Sequence, residues 1–116
     1  MARPTKQGLD YFPFDVDFFQ DLKIRKIIRS HGSLSPSILM CVLCLIYKEN
    51  GYYIKWDEDT SFVVSEILNC EEETVSHIIE KAIDVGFFNK DLYDKYTILT
   101  SNAIQKRFLL ITKSAK

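Results

Sequence analysis

Residues 57–86 read DEDTSFVVSEILNCEEETVSHIIEKAIDVG, and the fold turns on them. Asp57 stands where a helix N-cap belongs, and Glu58 and Asp59 follow in the first turn, facing the positive end of the helix dipole. This helix is expected to run to about Leu68. Asn69-Cys70 then makes a tight turn. A second helix is expected over residues 72–85, because Val75, Ile78, Ile79, Ala82 and Ile83 recur at i, i+3, i+4, i+7 and i+8. Gly86 suits the left-handed residue that closes a helix. Two helices joined by so short a turn make a helix-turn-helix.

Working outward, Ser35-Pro36 is a helix start, with Ser35 as N-cap and Pro36 at the first helical position. The helix is expected to reach Glu49, where Asn50-Gly51 stops it. It is apolar nearly all round, the mark of a central buried helix. Residues 52–56, aromatic and β-branched, predict a short strand. Upstream, residues 17–31 predict an extra helix capped by Asp15 or Asp17. Phe18, Leu22, Ile24, Ile27 and Ile28 give it an apolar side, and His31-Gly32 ends it. Residues 1–16 form an arm in which Tyr11, Phe12 and Phe14 surround Pro13, which forbids a helix. These aromatics need a cover, either their own domain or a second copy.

Downstream, Phe87-Phe88 begins a strand, residues 89–95 form a turn or loop, and residues 96–99 return as a strand. Ser101 caps a last helix over residues 101–114. The expected fold is therefore mainly α with a small antiparallel β-hairpin or three-stranded sheet. From residue 35 to 99 the order is that of a winged helix, a helix-turn-helix plus wing, with an extra N-terminal helix and a C-terminal helix.

Composition fits one domain over residues 1–116: 47% of residues are hydrophobic, 27% are charged, and the formal net charge is -1. The longest apolar run, within residues 38–47, is far short of the ~20 residues of a membrane helix. Residues 1–8 are polar and hold no signal-peptide core, so a cytoplasmic domain is expected. Cys41, Cys44 and Cys70 read as reduced thiols. Cys41 and Cys44 lie mid-helix inside the apolar run and are expected to pack in the core. A zinc site would have to recruit Cys70 and either His31 or His77. His31 otherwise complements a helix C-terminus, and His77 falls on a polar helix face. No phosphate loop, nucleophile elbow or metalloprotease motif is present. We expect no enzyme, catalytic residue, metal, cofactor or small-molecule substrate.

Charge is unevenly spread. Residues 57–85 carry nine acidic and one basic side chain, whereas residues 86–116 carry six basic and two acidic. The second helix of the helix-turn-helix would show Glu72, Glu73, Glu80 and Asp84 outward, with Lys81 its one cation. DNA affinity rests on phosphate neutralisation, so this face is repelled from the major groove. Cations that suit weak, sequence-tolerant contact with duplex or single-stranded DNA lie elsewhere: Lys90 and Lys95 in the wing, Lys106, Arg107 and Lys113 in the last helix, and Arg3 and Lys6 in the arm. The last helix also holds Phe108-Leu109-Leu110-Ile111, four apolar residues that one helix face cannot hide. Association with a protein partner, or self-association through Tyr11, Phe12, Phe14 and this run, is therefore expected.

The segments Tyr11-Phe12-Pro13-Phe14-Asp15-Val16-Asp17-Phe18-Phe19, Gly51-Tyr52-Tyr53-Ile54-Lys55-Trp56, Gly86-Phe87-Phe88, Ile98-Leu99-Thr100-Ser101 and Ile104-Gln105 together resemble a known family. It is the N-terminal domain of unassigned function in phage, prophage and mobile-element replication proteins related to DnaD-type replisome organisers. The resemblance covers residues 8–108. It implies a winged helix, a role near replication initiation and a further region after the domain. It carries no catalytic residues. Three functions stand side by side: a replication-associated module working by protein contacts, a DNA-binding regulator using wing and last helix, and a metal- or redox-responsive domain using the cysteines.

Overall fold

The computed structural model describes residues 7–114; Arg3 and Lys6 of the arm lie outside the described residues. A 3-10 turn at Phe18–Gln20 leads into α1 (Leu22–His31), α2 (Ser35–Glu49), β1 (Ile54–Lys55), α3 (Glu58–Leu68), α4 (Glu72–Asp84), α5 (Lys90–Tyr96), β2 (Ile98–Leu99) and α6 (Asn102–Ser114). The fold is mainly helical. Its sheet has two strands paired antiparallel, Ile54 opposite Leu99 and Lys55 opposite Ile98. Among the described residues no helix is long and apolar enough to cross a membrane.

The two helices joined by the Asn69-Cys70 turn, α3 and α4, form as their residues dictate. Asp57 accepts hydrogen bonds from the Thr60 amide and hydroxyl, both at 2.9 Å. These bonds hold its carboxyl below the usual carboxylate range. Asn69 takes the left-handed conformation, φ 53°, that ends α3. The buried residues of α4 are the five of the apolar stripe, Val75, Ile78, Ile79, Ala82 and Ile83. They pack against α1, α2 and α3. α2 is the central helix, burying Ile38, Leu39, Val42, Leu43, Ile46 and Tyr47.

The expected hairpin does not form. The amides of Phe87 and Phe88 both donate to the Ala82 carbonyl, at 2.9 and 3.3 Å, folding the chain back on α4 instead of extending it. Phe88 is fully buried. Where a turn or loop is expected over residues 89–95, the chain forms the helix α5, Lys90–Tyr96. Asn89 caps it by accepting from the Leu92 amide at 2.9 Å, and Lys90 pairs with Asp94 one turn on at 3.0 Å. Thr97, φ 54°, ends it and turns the chain into β2.

Three smaller differences follow from caps and burial. α1 starts at Leu22 rather than near residue 17, because Asp21 is extended and accepts from the Lys23 amide at 2.8 Å, while Asp17 makes no cap bond. Ser35 caps nothing: Leu34 occupies the cap position, and the Ser35 hydroxyl is buried without a hydrogen-bond partner. Cys44 is exposed rather than packed in the core, and Cys41 and Cys70 are half-buried.

Asn89→Ala deletes the α5 cap. Urea unfolding should show a loss of about 1 kcal/mol, and no loss would mean that residues 90–96 are not held as a helix.

Candidate functional site

α6 and the arm meet over α2. The Leu9 amide donates to the Tyr47 carbonyl at 2.7 Å. Gly8 lies so close to the Lys48 carbonyl that any Cβ would collide with backbone. Phe12 stacks on Tyr47, ring centroids 4.4 Å apart, and Phe14 packs on Phe18 at 4.9 Å. Arg107 reaches across from α6, donating to the Asp15 carboxylate at 2.8 Å and the Tyr47 hydroxyl at 3.4 Å. A cleft of about 340 Å³ runs beneath, lined by Phe12, Asp15, Phe18, Leu43, Phe87 and Arg107 among others. The described part of the arm, residues 7–16, thus packs on its own domain, and Arg107 is its latch.

Electrostatics matches this geometry. Burial opposes the Arg107 charge, but its bonds to Tyr47 and Asp15 hold the guanidinium above its ordinary value. Burial pushes the Tyr47 phenol up, against the pull of Arg107.

The cations read as a DNA-contact set lie on two helices, α5 and α6. Lys90 and Lys95 lie on α5, not on a wing, and Lys90 is ion-paired to Asp94. Arg107 is committed to Asp15. Lys106 and Lys113 are exposed on α6. The apolar run of α6 divides: Phe108 and Ile111 are half-buried, with Phe108 5.2 Å from Tyr52, while Leu109 and Leu110 are 58% and 62% exposed. Tyr11 is exposed. On α4, Glu72, Glu73, His77, Glu80 and Asp84 are all exposed. Lys81, the one cation of that helix, lies 3.9 Å from Asp84.

Burial, then Cys44 and Cys70, push the Cys41 thiol up, away from the thiolate that metal or redox chemistry needs. Among the described residues no group of three or more His, Cys, Asp or Glu is arranged to hold a metal ion.

Sequence reading missed a second feature, on α3. This helix buries Ser61, Val64 and Ser65 and exposes Phe62, Val63 and Ile67, at 50%, 38% and 57%. The signal was there, since the two serines share the i, i+3, i+4 face with Val64.

The model of a family described as Lin1244/Lin1753-like, N-terminal, matches residues 11–104. An uncharacterized phage-related protein of Listeria innocua serovar 6a, Lin1244/Lin1753, is 36% identical over 108 residues, which make up 93% of this chain and 35% of that protein. The chain spans about a third of the length of that relative. No solved structure matches.

Two outcomes follow from the latch. Arg107→Ala removes an ion pair and a phenol bond, so amide hydrogen exchange at Leu9 should quicken about tenfold; unchanged protection would mean that ring stacking alone holds the arm. The raised Tyr47 value means that the unfolded chain loses this proton first. Its contribution is whole below pH ~10 and is lost as pH rises through the folded value. Tyr47→Phe should therefore flatten the alkaline limb of the stability–pH curve, and an unaltered limb would assign that loss to other groups.

Proposed function

Because this chain belongs to the Lin1244/Lin1753-like N-terminal family, we propose that it is a non-enzymatic winged-helix module of a phage-related replication-initiation protein. It acts in the cytoplasm, mainly by protein contacts, and touches DNA weakly at most. The kinship to DnaD-type replisome organisers is part of the proposal. Its support in the fold is the order α2, β1, α3, α4, β2 with β1 paired antiparallel to β2, the order of a winged helix in which α5 takes the place of the wing.

The single observation that carries the protein-contact reading is the outer face of α4. This is the second helix of the helix-turn-helix, the one that enters the major groove in DNA-reading members of that motif. Here it offers Glu72, Glu73, Glu80 and Asp84 to solvent, and Lys81 stands beside Asp84. Placed against phosphates spaced one charge per ~1.7 Å, such a face repels DNA. The rival reading, backbone contact through α5 and α6, is weakened by the pairing of Lys90 and Arg107 to carboxylates of the same chain.

Fluorescence anisotropy across a salt series tests this directly. Duplex and single-stranded DNA should bind more weakly than ~100 µM at physiological salt, the weak end of non-specific binding. Replacing Glu72, Glu73, Glu80 and Asp84 by their amides should strengthen duplex binding at least about tenfold, because the repulsion is removed. Sub-micromolar binding by the unaltered chain, lost in Lys106→Glu/Lys113→Glu, would instead establish DNA contact through α6.

A further inference from the structure

Two helices of this chain present the same pattern with opposite charge. On α6 the outward positions Lys106, Leu109, Leu110 and Lys113 follow i, i+3, i+4, i+7, and all four side chains are exposed. On α3 the outward positions Asp59, Phe62, Val63 and Glu66 follow the same spacing and are likewise exposed. In each stripe the two charges stand seven residues apart, about 10.5 Å along the axis, and bracket an apolar pair. None of the four charges is ion-paired among the described residues.

We propose that the α6 stripe of one copy docks on the α3 stripe of a second copy, Leu109 and Leu110 against Phe62 and Val63, with Lys106 and Lys113 meeting Asp59 and Glu66. This rests on the protein-contact reading above and names its partner. Charge complementarity chooses the occupant. A cationic stripe with leucines between its lysines offers a phosphate backbone only half its surface, whereas α3 matches both halves. The outer face of α4 is acidic too, but Glu73, His77, Glu80 and Asp84 include no apolar pair to receive the leucines. α3 also buries two serines while exposing Phe62, Val63 and Ile67, a face that calls for a cover. Beside it, clefts lined by Leu45 with Val63 and by Leu45 with Ile67 extend the apolar surface onto α2. Each copy carries one stripe of each kind, so two copies can exchange both contacts or the contact can repeat head to tail. A helix-on-helix contact falls below the standard interface size, so the association is of micromolar strength and weakens with salt.

The experiment is analytical ultracentrifugation of the whole chain from about 1 to about 300 µM, spanning the weak-complex range. The unaltered protein should associate, and 0.5 M salt should weaken it. Lys106→Glu/Lys113→Glu makes both stripes acidic, and Asp59→Lys/Glu66→Lys makes both basic, so each variant alone should be monomeric. Mixed in equal amounts they should associate again, because each then supplies the stripe that the other lacks. All four substitutions are at exposed positions, and circular dichroism checks that each variant is folded. A monomeric unaltered chain at 300 µM, or two folded monomeric variants that fail to associate on mixing, overturns the proposal. Neither result bears on DNA affinity, so the protein-contact reading stands or falls separately on the anisotropy measurement.

Discussion

Val75, Ile78, Ile79, Ala82 and Ile83 hold α4 against α1, α2 and α3, and the character of the surface follows from that packing. A helix that commits one side to a core gives the other side to water. Here that side is Glu73, His77, Glu80 and Asp84. Burying each aliphatic side chain is worth roughly 1.5–3 kcal/mol. Repulsion between neighbouring exposed carboxylates in water is ~1 kcal/mol or less. Packing therefore wins, and the domain tolerates a face crowded with carboxylates. Ala82 contributes twice, through its methyl in the core and through the carbonyl that turns Phe87 and Phe88 back.

The arm and α6 depend on this arrangement at one remove. Phe88 and Ile104 are buried in the same core that α4 and α2 complete, which sets α6 where Arg107 can reach Tyr47 and Asp15. The ion pair adds at most about 1 kcal/mol, because Asp15 is mostly exposed, and it latches the arm together with the Arg107 bond to Tyr47. Its effect is on which charges remain available. Arg107 is drawn inward, and Lys106 and Lys113 stay outside with Leu109 and Leu110.

What the sequence revealed was what is local. The α4 stripe, the Asp57 cap and the Asn69 turn are each decided within a few residues, and each is where the pattern puts it. The hairpin failed because aromatic residues favour strands only where a partner strand is available. Phe88 instead finds the core, and Asn89, with a Lys-Asp pair at i, i+4, makes the next residues helical. Ser35-Pro36 has the composition of a cap, but Leu34 is already helical, so the hydroxyl is carried inside. Cys44 lies in an apolar run yet points outward, because a helix cannot bury every side at once. The latch was beyond local reading: Arg107 finds Asp15 and Tyr47 across 92 and 60 residues of chain.

The two-residue pairing of β1 with β2 has a consequence for the order of folding. Ile54 and Leu99 close a loop that holds α3, α4 and α5 entire. Tying together chain points about 45 residues apart costs loop entropy that grows with the logarithm of that length, and two residue pairs return little for it. Helices with local contacts form quickly, and non-local strand pairs wait for them. The sheet is thus a clasp that snaps shut once the helical hairpin has already brought its ends together.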